Sequence, residues 1–228
     1  MSAHTRLLLA TGNPGKLVEL RARLGDLPVE VVGLGDLPER PAEVPETGDT
    51  FAANAILKAV GYGRDTGLPA LADDSGLAVD ALSGAPGVYS ARFAGPDATD
   101  ADNNALLLEK LADTPTEERG AHFCCVIALW LPSGHPATLT ALAAARAAGL
   151  TVRPVAETED EWLILSEGRA FGRLLTAPVG EGGFGYDPLF LSDDLGVTFA
   201  EASGPQKLTV SHRGRALDAL DPVWEALG

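Results

Sequence analysis

Residues 7–24 read LLLATGNPGKLVELRARL, a strand, a glycine-rich turn and a helix in immediate succession. Leu7–Ala10 is a short apolar run of the kind that forms a buried strand. Thr11-Gly12-Asn13-Pro14-Gly15 is a turn. Leu17, Leu20 and Leu24 then recur at i, i+3, i+7, which places them on one helix face. Asn13 suits the N-cap of that helix, and Pro14 suits its first turn. A second strand at Val29–Val32 makes the start of the chain a βαβ-like unit.

Outward from this unit, strands and helices keep alternating. After a proline-rich connection, Leu37–Pro45, Thr50 caps a helix expected to run to about Tyr62 and to be ended by Gly61, Gly63 and Gly67. Leu68–Asp73 and Leu77–Leu82 read as short strands broken at Asp74-Ser75-Gly76. Ala85–Gly95 reads as loop, Asp100–Leu111 as a helix with Leu106, Leu107 and Leu111 on one side, and Ala121–Leu131 as the longest strand. Pro132 to about Glu161 differs in kind, with an alanine-rich helix near Ala141–Gly149 and a charged run at Glu157–Glu161. It reads as a variable surface excursion, centred on residues 134–160. Strands are then expected near Trp162–Leu165, Gly172–Ala177 and Leu189–Leu191, and a last helix from about Leu208 to Leu220. The alternation implies an α/β protein with a mixed sheet. No internal repeat is present, and 228 residues suit one domain of at most two lobes.

Composition narrows the function classes. Asp and Glu number 32 against 17 Lys and Arg, for a formal net charge of −15. That argues against nucleic acid as a partner, because a backbone-gripping surface needs clustered cations. Hydrophobic residues make up 46%, enough for a substantial core and too many for general disorder. Cys124 and Cys125 are adjacent in an apolar run, and successive strand side chains point to opposite faces, so neither a disulfide nor a metal clamp is expected. A reduced, cytoplasmic setting fits best. The N-terminal apolar run is too short for a signal peptide. No stretch approaches the ~20 apolar residues of a membrane helix, so no membrane partner is expected.

Four segments could carry chemistry. Thr11, Gly12, Asn13, Pro14, Gly15 and Lys16 lie at a strand-to-helix junction. Free N–H groups, glycines that admit close approach and a lysine together suit an anion. Two residues separate the glycines and Leu17 follows the lysine, so this is no P-loop. An ordinary capped turn is the competing reading. Asp73-Asp74-Ser75-Gly76 places two carboxylates at a strand end, which is costly unless cations are near. Alternation would send Asp73 and Asp74 in opposite directions. A Mg²⁺ ion uses one or two carboxylates plus waters and phosphate oxygens, and Glu46 is a plausible second ligand. Local caps by turn carboxylates are the alternative.

Phe184, Gly185, Tyr186 and Asp187, in Gly182–Pro188, pair aromatics with glycines, leaving a ring open to stacking with a planar group. Such stacking is worth on the order of 1–3 kcal/mol. A glycine-rich hairpin with core aromatics is the alternative. Lys207 with Ser211-His212-Arg213 sets cations at the start of the last helix, opposing its dipole, as if an anion or carbonyl were expected nearby. A solvated basic helix start explains the same residues. Asn54 and Lys58 are one turn apart and share a face, yet read as exposed polar positions. His4, His122 and His135 lack metal-ligand spacing, and Ser75 lacks a nucleophile elbow.

In order along the chain, ATGNPGK (10–16), ETGDTFAANAILK (46–58), ADDSGLAVD (72–80), GAPGVYSAR (84–92), GFGYDP (183–188) and SHRG (211–214) resemble the inosine/xanthosine triphosphate pyrophosphatases. The resemblance covers nearly the whole chain except about 132–160. It implies an α/β fold with a long mixed central sheet, two lobes around a substrate cleft, and a homodimer. The implied reaction is Mg²⁺-dependent hydrolysis of ITP, dITP or XTP to the nucleoside monophosphate and pyrophosphate. By position, Thr11, Asn13 and Lys16 would hold the triphosphate. Asp74 would be general base and metal ligand, with Glu46 and Asp73 supporting the metal. Ser75 would contact substrate, Phe184 would stack on the base and Asp187 would hydrogen-bond to it. Lys207, His212 and Arg213 would complete the purine pocket. Gln206 departs from the family pattern, where an acidic residue is common. A pyrophosphatase for other modified nucleotides, or a nucleotide sensor without turnover, are the alternatives.

Overall fold

The computed structural model describes residues 5–156, 158 and 160–227. Strand β1 (Thr5–Leu9), helix α1 (Pro14–Leu24) and strand β2 (Val29–Gly33) form the expected opening unit. β1 pairs in parallel with β2, and in parallel on its other side with β3 (Ala70–Val79). In sequence, α2 (Phe51–Thr66) lies between β2 and β3. The chain continues through α3 (Asp100–Lys110), β4 (Gly120–Leu131), α4 (Thr138–Ala147), β5 (Thr151–Pro154) and β6 (Trp162–Leu174). It ends with β7 (Phe190–Ser192), α5 (Gly204–Val210), α6 (His212–Asp218) and α7 (Asp221–Leu227). The sheet has seven strands in the order β2-β1-β3-β4-β6-β5, with β7 also pairing β6. β5 and β7 run antiparallel to β6, so the sheet is mixed, as the alternation of elements predicts.

The chain clusters into two compact units. One comprises the described residues of 1–74, 126–167 and 216–228; the other comprises 75–125 and 168–215. In the first, Leu7, Leu8, Leu9, Leu20, Leu24 and Leu71 are fully buried, together with Trp224. In the second, the core gathers Leu77, Leu107, Leu111 and a cluster of aromatic rings. Phe123 lies 4.8 Å from Phe190, and Phe190 lies 4.9 Å from Phe199, centroid to centroid.

Several boundaries differ from those read in the sequence, each for a physical reason. Helix α2 runs through Gly61 and Gly63 and stops only at Gly67, which takes the left-handed conformation (φ 69°). The two interior glycines serve packing: a Cβ on Gly61 would sit 2.7 Å from Val44 Cγ2, and one on Gly63 would overlap the Trp130 indole. β3 is one continuous strand, and Asp74-Ser75-Gly76 does not break it. The carboxylates stay in mid-strand because cations meet them there. β6 likewise joins two expected strands into one. Its middle alternates buried Ser166, Gly168 and Ala170 with exposed Glu167, Arg169 and Phe171, the two-residue period of a half-exposed strand.

The stretch expected as loop at Ala85–Gly95 contains a 3₁₀ turn, Gly87–Arg92. The last helix is three helices. Ser211 turns the backbone to an extended conformation and caps α6 by accepting the Gly214 N–H at 3.1 Å. Pro222 then occupies the first turn of α7, where its missing donor costs little. The segment read as a surface excursion contributes β5 to the sheet, and α4 buries Ala141, Leu142 and Ala145. Of the charged run, Glu157 and Glu159 lie outside the described residues. Glu161 accepts hydrogen bonds from Arg64 Nε (2.9 Å) and Trp130 Nε1 (3.1 Å).

Candidate active site

The first unit brings the residues around 11–16, 46–58 and 73–74 together. Asn13 caps α1 by accepting the Lys16 N–H at 3.0 Å, and Thr11 Oγ1 accepts the Asn13 N–H at 3.2 Å. Gly12, Asn13 and Pro14 are exposed, so the turn presents its backbone outward. The Lys16 ammonium lies 3.0 Å from Asp73 Oδ2, and the Asp73 side chain is fully buried. Asp74, next along the strand, faces elsewhere, as the alternation predicts. Its Oδ2 accepts from Asn54 Nδ2 at 3.1 Å, and its Oδ1 lies 3.4 Å from Lys58 Nζ.

Asn54 and Lys58 are therefore buried, contrary to their reading as exposed positions. Their i, i+4 spacing on α2 aims both at one carboxylate. The Asn54 amide has its orientation set from the other side, because its Oδ1 accepts the Gly48 N–H at 2.7 Å, leaving its NH₂ for Asp74. Gly48 has to be glycine for that approach: a Cβ would lie 2.6 Å from the Ala53 Cβ. The same loop delivers Glu46, whose Oε1 lies 3.2 Å from Lys58 Nζ.

The electrostatics follow from this packing. Burial pushes the Asp74 carboxyl above its ordinary value, Lys58 and Lys16 oppose the shift, and Glu46 adds to it. For Lys58, burial works against the ammonium, but Asp74, Asp73 and Glu46 outweigh it and hold its pKa above the usual lysine value. Lys58 thus stays charged. Glu46 and Asp74 converge on one ammonium, a two-carboxylate set suited to a hard divalent cation. Asp73 turns away to Lys16. Among the described residues, no three His, Cys, Asp or Glu side chains converge as a ready-made metal cage.

The second unit assembles the aromatic loop and the last cationic residues. Asp187 is buried, and its Oδ2 accepts both the Phe184 N–H (2.9 Å) and the Lys207 ammonium (2.6 Å). Lys207 lies 4.6 Å from the centre of the half-buried Phe184 ring, a cation–π distance. The Arg213 guanidinium carbon lies 6.0 Å from the same ring, and its Nη2 donates to Ser75 Oγ at 2.9 Å. His212 stacks on Phe123 at 4.7 Å, with 12° between the planes. Tyr186 is buried, and its hydroxyl donates to the Ser90 carbonyl at 2.8 Å. Burial first, and then Asp100, push its pKa far up, so it stays a neutral donor. Gly185, between these residues, has φ 61°. Gln206, the departure from the family pattern, completes a capping box with Ser203: its Oε1 accepts the Ser203 N–H at 3.0 Å, a task amide and carboxylate share.

Residues 7–223 match the Ham1 family. A protein of Streptomyces coelicolor named dITP/XTP pyrophosphatase is 48% identical over 225 residues, 98% of either chain. One of the same name from Geobacter sulfurreducens is 47% identical, over 95% of this chain and 94% of its own. The Staphylococcus aureus Ham1 protein has a solved structure with a TM-score of 0.74 and 34% identity, covering 98% of this chain and 100% of that one. The nucleoside-triphosphatase/dITP/XTP pyrophosphatase of Mycobacterium abscessus superposes with a TM-score of 0.66 at 44% identity, covering 96% and 100%.

Proposed function

This chain belongs to the Ham1 family, and from that premise we propose that it hydrolyses the non-standard purine nucleoside triphosphates ITP, dITP and XTP to the nucleoside monophosphate and pyrophosphate. The observation that carries the chemistry is the buried Asp74 carboxylate, oriented by Asn54 and Lys58 and raised in proton affinity by burial. A carboxylate of raised pKa is a better proton acceptor near neutral pH than an ordinary one. In the reaction, a water oxygen bonds to the α-phosphorus, the bond from that phosphorus to the α,β-bridging oxygen breaks, and pyrophosphate leaves. Asp74 takes the proton of the water. Thr11, Asn13, Lys16 and the exposed turn backbone hold the triphosphate through N–H groups and one ammonium.

Glu46 and Asp74 are the residues that would hold Mg²⁺, because both carboxylates reach the position now shared with the Lys58 ammonium. When bound there, the ion would neutralise phosphate charge and acidify nearby water. Asp73 belongs to this set only indirectly, by fixing Lys16.

Phe184 offers the base a stacking surface, and Lys207, Arg213 and His212 offer donors. An ammonium carries three N–H donors and a guanidinium five, so Lys207 and Arg213 are multi-donor groups beside the ring. A 6-keto purine accepts from them, whereas the 6-amino group of adenine would leave them unpaired; such mismatches cost ~10⁴-fold or more in discrimination. No described helix is long and apolar enough to cross a membrane. Action on the cytoplasmic nucleotide pool, as a homodimer, completes this reading. The test is a panel of standard and non-standard nucleotides with and without Mg²⁺, scoring pyrophosphate against orthophosphate. ITP, dITP and XTP should release pyrophosphate only with the metal, far faster than ATP; equal rates for ATP, or orthophosphate as product, would reject the assignment.

A further inference from the structure

The loop that carries Phe184 lies outside the strands, and beside backbone bonds such as Gly182 N–H to the Ala200 carbonyl (3.0 Å) it is held by side chains from elsewhere in the second unit. Two come from one face of α3. Asp100 Oδ2 accepts the Gly185 N–H at 2.7 Å, and Asn104 Nδ2, one helical turn on, donates to the Gly185 carbonyl at 2.9 Å. Both backbone polar groups of a single residue are thus gripped by an i, i+4 pair from another element. Nothing lies within 4 Å of where a Gly185 Cβ would stand, so glycine is there for its positive φ of 61° and not for want of space. The residue that the bracket grips has no side chain of its own to anchor it. Its neighbours are tied independently: the Phe184 N–H to Asp187, and the Tyr186 hydroxyl to Ser90.

We infer that Asp100 and Asn104 are positioning residues for the purine platform: by bracketing Gly185 they fix the backbone from which the Phe184 ring projects beside Lys207 and Arg213. The inference rests on the reading of Phe184 as the stacking surface. It places part of the enzyme's base selectivity on α3, a helix that need not touch the nucleotide. A ring that wanders lets the 6-position of the base miss its donors, so affinity and discrimination fall together while the hydrolytic step on bound substrate persists.

Steady-state kinetics of Asn104→Leu and Phe184→Ala, singly and together, test this with ITP and ATP. Asn104→Leu removes the donor while keeping the branching and heavy-atom number of the side chain, and should raise KM for ITP about fivefold to tenfold, the effect of one lost hydrogen bond. It should also lower the ITP/ATP ratio of kcat/KM, with kcat for ITP nearly kept. In the Phe184→Ala background, Asn104→Leu should have no further effect on KM. Asp100→Asn, which keeps an acceptor oxygen for the Gly185 N–H, should raise KM less than Asp100→Ala. Unchanged KM and selectivity in Asn104→Leu, alongside a raised KM in Phe184→Ala, would overturn the bracket and leave the platform standing. A fall in kcat and melting temperature with no change in KM would make it merely structural. An unaltered KM in Phe184→Ala would remove the platform and the inference with it.

Discussion

At the scale of single residues, the decisive balance is at Asp74. Burial raises the proton affinity of this carboxyl, and Lys58, Lys16 and Asn54 pull it back toward ionisation. On the proposed mechanism Asp74 must be ionised to accept a proton, so activity is expected to fall as pH drops through its raised pKa. The acid limb of kcat/KM should therefore lie above the ~3.9 of an ordinary aspartate. Asp74→Asn keeps the shape but cannot take the proton. It should bind ITP within a few-fold of the parent and lose ~10²–10⁴ in kcat, the usual size of general-base catalysis. Turnover at parental rates, or an acid limb at the ordinary aspartate value, would remove Asp74 from the mechanism. The divergence of Asp73 and Asp74 was legible from strand alternation alone. The partners of Asp74 were not. The i, i+4 spacing of Asn54 and Lys58 states that they share a face but cannot say that this face is buried, since that depends on a strand beginning some twelve residues later.

Among the elements, helix α2 shows how local propensity and packing compete. Glycine in a helix interior costs up to ~1 kcal/mol relative to alanine, so Gly63→Ala should stabilise on propensity alone. Here an added Cβ would overlap Trp130, whose Nε1 is tied to Glu161 and cannot simply swing away. Overpacking of that kind costs typically ~1–3 kcal/mol, which exceeds the propensity gain. Gly63→Ala should thus lower the melting temperature by a few degrees; a raised one would show that the indole yields freely. The same competition explains which elements were legible. Caps announce themselves locally, and Asn13, Thr50 and Thr99 each accept from the N–H three residues on. Glycines inside α2 look like stops because the chain that presses on them is distant in sequence. β6 looks interrupted because its middle is half exposed, and its polar residues alternate where a buried strand would be continuous.

For the molecule as a whole, a net charge of −15 repels a nucleoside triphosphate, so binding depends on local reversal of the field. Under the proposed assignment each unit would supply its own cations: Lys16 and Lys58 beside the carboxylates of the first, Lys207 and Arg213 beside the aromatic loop of the second. All four are held by an acidic or hydroxyl partner, which fixes them in place before substrate arrives and would limit the reorganisation that catalysis otherwise requires. The identity of the bond that breaks is then a property of the whole enzyme, and it can be read from where a solvent oxygen ends up. Turnover of ITP in ¹⁸O-labelled water, with the products resolved by mass spectrometry, tests it most directly. Attack at the α-phosphorus predicts one labelled oxygen in the monophosphate and none in pyrophosphate. Label in the pyrophosphate, or a nucleoside diphosphate among the products, would contradict it.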